Sequence, residues 1–565
     1  MLNRKLKLAI FCASVVLPIN LSLAQVERLP GVVDKIVQDI AIPNSYSLDD
    51  ELAEPLGQEL TVKKVDNASQ VIADLKAVVF EGNTAIDDEE LQEIIAKYVN
   101  QPLTKGKLAE LKYDVKKAYY DEGYILVHAV TKPQKFANGV LKVNVYEAEI
   151  GDIEIRGNDL VHGFLLKNIA KRTEAGDVVN AVAAESVIKD INDLYGVGAT
   201  LVLRPGSKFK TTDFLITMRE EDNDNNNNNN NNVGINNYGS DLTGEVVAYG
   251  HTEHSNLFKM GEQLKLDLQR SEEDLWTAAV GAVIPTGFRN VNFEASYLHS
   301  ENDIVGRLSS LQASGETDIY DLGFSSKLIN TRKHTLTTKI GFQDRVHESF
   351  LSGVTETKDN LDKLYTDVNY SYRGAASVFY GGVRISKGID AFGSSIKGES
   401  GATRNTGDQE VWIIEPTFIA LARPFSADGT IKALIRAQAT SGTSLSSDLF
   451  SVGGYGSIRG FDVSQEAAEM GYVFNLEYSH VVPLDIPRTT IEAGPFVDGG
   501  AINNRVSGTL VDTHFYSAGL GLKLEGDYVP TGTTVIRLDW ARPIGSYNST
   551  KVSDDTFYFN INQEF

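Results

Sequence analysis

From Val233 onward, apolar and polar residues alternate with period two in one short segment after another. Leu264, Leu266 and Leu268 fall on one face and Lys265 and Asp267 on the other. Trp276, Ala278, Val280, Ala282 and Ile284 share a face, and Ile431, Ala433, Ile435 and Ala437 oppose Lys432, Arg436 and Gln438. Tyr472, Phe474, Leu476 and Tyr478 oppose Asn475 and Glu477, while Ile536, Leu538 and Trp540 oppose Arg537 and Asp539. Period two is the signature of a β-strand. A soluble sandwich alternates too, but its inner face rarely holds so many charges while the outer face stays apolar. The pattern predicts a transmembrane antiparallel β-barrel over residues 233–565, of about 16 strands at about 21 residues each with loops. In the last segment Phe557, Phe559, Ile561 and Phe565 share a face, with Gln563 the exception. An apolar face that ends in a terminal aromatic, Phe565, looks like a barrel-assembly signal.

Residues 70–149 change period. Lys76–Phe80 is strand-like, and Asp87 with Glu90 three residues on starts a helix through about Tyr98. A second helix runs from Lys105 to Glu122 and stops at Gly123, before strands at Tyr124–Lys132 and Val140–Ala148. The order β-α-α-β-β then recurs over residues 150–221. Its strand Ile150–Arg156 is followed by helices at Val161–Lys171 and Val182–Leu194 and strands at Ala199–Leu203 and Asp213–Arg219. Residues 222–232 are an asparagine-rich tract that builds no core, read as a linker.

The first 24 residues read as a secretory leader, with Arg4, Lys5 and Lys7 before an apolar Leu8–Leu17 and small residues Ser22 and Ala24 at the cleavage point. Pro18 and Asn20 cut the apolar run short of the about 20 residues a spanning helix needs. In the polar stretch 25–69, Val32, Val33, Ile36, Val37 and Ile40 have helical spacing between Pro30 and Pro43. That segment reads equally as a short amphipathic helix or as a loose linker.

Composition narrows the chemistry. The chain's one cysteine, Cys12, lies inside the leader, which leaves no thiol for a disulfide or a cysteine-ligated metal. The formal charge of −23 becomes more acidic when the three basic leader residues go, which disfavours nucleic acid as a partner. No Gly-x-Ser-x-Gly occurs, so a nucleophile elbow is missing, and the glycines around Tyr455 lack the Lys-Ser/Thr of a phosphate loop. His251, Glu253 and His254 are read as polar pore or loop residues, because positions three apart on a strand face opposite sides. The expectation is no enzyme, no cofactor and no metal.

Two segments carry the candidate site: Gly453–Asp462, GGYGSIRGFD, and Gly494–Gly500, GPFVDGG. Alternation from Ile491 through Val497 puts Asp498 on the lumenal side. Arg459 sits among glycines that let a loop turn sharply and approach a wall closely. The residues alone leave two readings: a solvated loop arginine beside a pore-lining carboxylate, or a buried, charge-assisted pair.

GGYGSIRGFD resembles the [V/I]-R-G-[Y/F] signature of two-partner secretion transporters, the outer-membrane exporters of hemolysins and filamentous adhesins. The likeness extends to the paired β-α-α-β-β units (POTRA domains in that family), to NNYGSDLTGE at residues 236–245, to Phe496-x-Asp498-x-Gly500 and to the terminal Phe565. It implies that Ile458, Arg459, Gly460 and Phe461 form a loop motif folded into the lumen, with Asp498 as its partner on the barrel wall. It also implies a plug helix, which residues 31–41 match by position only, whereas the asparagine tract has no counterpart. The expected function is secretion, with possible activation, of a large exoprotein such as a β-helical adhesin or hemolysin. The soluble domains would lie in the periplasm of a Gram-negative bacterium, and the barrel-assembly machinery and outer-membrane lipid would be further partners. An outer-membrane protein insertase is the alternative, and the repeat and the arginine loop argue against a passive porin.

Overall fold

The computed structural model describes residues 65–565 save 158, 172, 221–230, 289, 332, 485, 507–508, 530–531 and 545–554. The leader, the candidate helix at 31–41 and most of the asparagine tract lie outside the described residues. Among the described residues the chain forms two compact units, the first of residues 65–220 with 287–288 and the second of residues 231–286 and 290–565.

The first unit holds two successive α+β modules. In the first, helices Asp88–Ile95 and Lys105–Asp121 follow strand Ala77–Glu81 and precede strands Val127–Val130 and Val140–Glu147. Val140–Glu147 is central, parallel to the first strand and antiparallel to the second. Asp87 caps the first helix by accepting the Glu90 N–H at 3.0 Å. Gly123 ends the second helix with φ at 89°, where a side chain would be strained. Leu91, Ile95, Leu111, Val115, Tyr119, Leu141 and Val143 fill the core between helices and sheet. The second module repeats the topology with strand Glu149–Arg156, helices Gly163–Ala170 and Ala181–Asn192, and strands Val197–Pro205 and Thr211–Glu220. Asn180 caps its second helix, accepting Ala183 N–H at 3.1 Å, and donates to the Glu122 carbonyl at 3.0 Å, which ties the modules together. One pairing escaped the sequence pattern: Val71–Leu75 runs antiparallel to Gln101–Thr104. The second of these is only four residues long, contains Pro102, and ends in the cap of the next helix, so it shows no alternation.

Among the described residues of the second unit, sixteen antiparallel strands close a barrel. Asn232–Asn236 pairs with Val247–Ser255 on one side and with the last strand, Thr556–Glu564, on the other. Asn232 thus belongs to the first strand rather than to the linker, because its backbone registers with His251 and Glu564. Successive strands are neighbours around the wall. One large insertion, residues 441–469, separates the paired strands Gly429–Thr440 and Met470–Val481. The longest strands, Val354–Arg373 and Thr509–Val529, have 20 and 21 residues, about twice what crossing a bilayer requires.

Burial is inverted relative to a globular core. Val280, Leu322, Ile340, Leu364, Leu476, Leu520 and Leu538 are exposed on the outside, while Asp321, Lys339, Lys363, Asp367, Arg384 and Asp539 are buried inside. The lumenal charges named here are met by opposite ones. Arg384 grips Asp367 with two bonds of 2.7 Å, and Lys339 lies 2.9 Å from Glu294 and 3.1 Å from Asp321. No described helix is long and apolar enough to cross a membrane. The crossing is made by strands whose backbone groups are satisfied around the closed wall.

Candidate functional site

Residues 441–469 fold back into the barrel instead of projecting from it: Ser444, Leu449, Val452, Ile458 and Glu469 are all buried. Within this loop Phe450–Val452 pairs with Glu466–Ala468 as a small hairpin. Gly453, Gly454 and Gly460 have φ of 109°, 88° and 92°, and a Cβ on Gly453 would lie 2.2 Å from the Asp462 carbonyl oxygen. The tight turn presents Ile458-Arg459-Gly460-Phe461 to the wall. Ile458 and Phe461 pack with Val452, Ala468, Val473, Ile502 and Phe515. Gly460 N–H donates to the Tyr558 hydroxyl at 2.9 Å, and Asn475 donates to the Ser457 carbonyl at 2.7 Å.

The Arg459 guanidinium is 6% exposed and the Asp498 carboxylate 0%. Arg459 Nε donates to Asp498 Oδ2 at 2.7 Å and Nη2 to Oδ1 at 2.9 Å, a fork-on-fork contact that the Arg459 backbone N–H joins at 3.1 Å. Nη1 donates to Glu477 Oε2 at 3.1 Å and lies 3.5 Å from Asp539. Arg537 completes the group, donating to Glu477 at 2.7 Å and to both oxygens of Asp539. Two arginines and three carboxylates therefore form one buried network, with the plane of Phe496 3.3 Å beneath the Arg459 guanidinium carbon.

Glycines on the adjoining strand Thr509–Val529 make the room. A Cβ on Gly519 would come 2.3 Å from the Phe496 ring, and one on Gly521 would come 2.5 Å from Arg537 Nη2 and 2.6 Å from Asp539 Oδ1. Tyr455 of the loop stacks on Tyr238 with centroids 3.7 Å apart, and Tyr558 meets both edge-on.

The structure brings Ile458, Arg459, Gly460, Phe461 and Asp498 together. Phe565 stands apart at the end of the last strand, half-exposed, with its N–H on the Asn231 carbonyl at 2.9 Å. Alternation had put Glu477, Arg537 and Asp539 on the lumenal face without assigning them to the site. Gly519 and Gly521 went unremarked, although small residues alternating with Leu520 and Leu522 mark an inner face kept clear. A second clustering of histidine with carboxylates was also missed: Glu301 and Glu316 are directly opposite across two strands, and with His299 their ligand atoms lie within 4.8 Å. Spacing along the chain does not show a pairing made by register. His251 contacts Glu253 at 3.1 Å and Asp267 at 2.5 Å.

A closed, lipid-facing barrel preceded along the chain by α+β modules, with a loop secured inside by buried ions, defines an outer-membrane transporter. Residues 221–524 match the family described as haemolysin secretion/activation protein ShlB/FhaC/HecB, and residues 73–148 match its POTRA domain, ShlB-type. The chain belongs to this family: it is a two-partner secretion transporter of the outer membrane, with its POTRA region in the periplasm. The heme/hemopexin transporter protein HuxB of Haemophilus influenzae is 21% identical over 85% of this chain and 87% of its own length. The outer membrane transporter CdiB of Escherichia coli is 23% identical over 82% of this chain and 79% of its own. The solved CdiB from Escherichia coli superimposes with a TM-score of 0.72 at 20% identity, covering 95% of this chain and 99% of that one. BamA from Haemophilus ducreyi, with a TM-score of 0.52 at 14% identity over 88% of this chain, shares the fold alone.

Proposed function

We propose that the barrel exports one large exoprotein, a β-helical adhesin or hemolysin, and that the loop bearing Arg459 is the gate. The observation that carries this reading is the Arg459–Asp498 pair, buried inside the barrel on a loop whose glycines permit the approach. Residues 70–149 and 150–221 act as two POTRA domains that receive the unfolded cargo. Support comes from the sheet order, which leaves Val127–Val130 and Val197–Pro205 at edges where an extended chain can add by backbone pairing. Cargo then passes in extended form once the loop moves aside, and folding outside draws it forward and activates it. Residues 31–41 serve as a plug in the resting pore, and 222–231 as the linker into the barrel. Phe565, with Phe557 and Ile561 exposed on the same outward face, is the signal read by the barrel-assembly machinery during insertion. Nothing in this cycle calls for catalysis, a cofactor or a metal.

The test is secretion by an Arg459→Ala variant whose barrel assembles normally, judged by heat-modifiable electrophoretic mobility. Secretion is expected to fall by about tenfold or more, because a loop that has lost its buried seat opens without regard to cargo and no longer couples its release to the entering chain. Secretion at the parent level removes the gate assignment.

A further inference from the structure

The Arg459 network holds one limb of the inserted loop; the other limb, Ser444–Asp448, is equally buried and seated elsewhere. Asp448 is 3% exposed. Its carboxylate contacts the Lys363 ammonium, and Arg345 Nη1 lies 3.3 Å from Oδ1. The same Nη1 donates to the Ser447 carbonyl at 2.8 Å, and Gln438 donates to the Asp448 carbonyl at 2.7 Å. Ser447 Oγ donates to Asp359 at 2.9 Å. Arg345 and Lys363 stand on His334–Leu351 and Val354–Arg373, whereas the Arg459 network stands on Met470–Val481, Thr489–Val506 and Gly532–Pro543. Three strands separate the two sectors in the barrel order. The polarity is reversed: there a loop cation sits on wall carboxylates, and here a loop carboxylate sits on wall cations.

We propose that Asp448 is a second anchor of the gate, a positioning residue that must leave Arg345 and Lys363 before cargo can pass. The proposal rests on the reading of the loop as a gate. Breaking either ionic seat alone leaves the loop held in the lumen by the other, so a chance excursion at one site does not open the pore. Arg345, Lys363, Tyr365, Arg384 and Asp448 also line a polar cavity. That cavity has room for about one water molecule beside the carboxylate.

The experiment records channel openings of the full-length protein in planar bilayers for Asp448→Asn, Asp448→Glu, Arg459→Ala and the Asp448→Asn/Arg459→Ala pair, each checked for heat-modifiable mobility. Asp448→Asn is expected to raise opening frequency about tenfold or more, as loss of a buried ionic partner should. Asp448→Glu restores it toward the parent, and the paired variant exceeds both singles. In an Arg345→Gln/Lys363→Met background, Asp448→Asn should add nothing, whereas a merely structural role would add its cost again. If Asp448→Asn does not assemble, Lys363→Met reads the same contact from the wall side. Parent-like opening in Asp448→Asn, or in Lys363→Met where that variant stands in, beside an open Arg459→Ala overturns the second anchor and leaves the gate. Parent-like opening in both overturns the gate as well.

Discussion

Replacing Arg459 by alanine in a chain carrying Cys12→Ser and Ser457→Cys turns the position of the loop into a labelling rate. Ser457 is 7% exposed beside the arginine, so a bulky maleimide reaches a cysteine there only when the loop withdraws. The substitution removes three side-chain hydrogen bonds, at 2.7, 2.9 and 3.1 Å. It leaves Asp498, wholly buried, with the backbone N–H of residue 459 as its remaining contact from the loop. Removing one side of a buried pair costs about 3–5 kcal/mol. Glu477 and Asp539 keep Arg537, which places the loss toward the lower end of that range. Ile458 and Phe461 keep their apolar seat, worth about 1.5–3 kcal/mol each, so the loop remains mostly inserted. The inserted-to-withdrawn ratio should therefore drop by about 10²–10³, and the labelling rate should rise by the same factor where closing outpaces reaction. Arg459→Lys keeps the charge without the fork and should rise about tenfold. Buried charges are weakly screened, so the parent rate should barely change between about 0.1 and about 1 M salt. Labelling of Arg459→Ala within about twofold of the parent, in a folded barrel, would refute the reasoning.

Two further outcomes follow from other parts of the molecule. Gly521→Val should push Arg537 off Asp539, costing about 1–3 kcal/mol of barrel stability by overpacking, whereas Gly381→Ala, with open space around its Cβ, should stay within about 0.5 kcal/mol; thermal unfolding monitored by heat-modifiable mobility checks both. In the POTRA domain at residues 73–148 Glu147 accepts the Thr84 and Ala85 N–H groups at 2.8 and 3.1 Å and the Tyr119 hydroxyl at 2.7 Å. Burial alone would push its pKa up, but hydrogen bonds from Thr84, Tyr119 and Ala85 outweigh it and hold the carboxyl below its ordinary value. A lowered folded pKa contributes stability that is complete above the ordinary range near about 4.3 and disappears as pH falls through the folded value. Glu147→Gln should therefore lose about 1–3 kcal/mol of amide protection at Thr84 and Ala85 near neutrality, and the difference from the parent should shrink below about pH 4, as read by hydrogen exchange in the full chain.

The two kinds of information in this chain differ in how far they reach along it. Alternation is local, and it was enough to turn Val497 outward and Asp498 inward, to predict closure near sixteen strands, and to invert the usual core. Helix starts were equally local: Asp87 caps the helix that follows it. Alternation assigns a face, however, and leaves the neighbour on that face undetermined. Glu477, Asp498 and Asp539 come from three strands, and only register places Asn475 opposite Asp498 and Gly521 opposite Asp539. The contact of Arg345 with Asp448 crosses 103 residues. Glycine is ambiguous for the same reason. At 453 and 460 its positive φ makes a turn, which residue type suggests, whereas at 519 and 521 its missing side chain yields volume to Phe496 and Arg537, which only the neighbours reveal. A network of buried ions inside a barrel is thus written mostly in pairings between distant strands. Asp498, Glu477, Arg537 and Asp539 were visible as lumenal from alternation, whereas Arg345, Lys363 and Asp448, and the grouping into two opposed seats, required the closed wall.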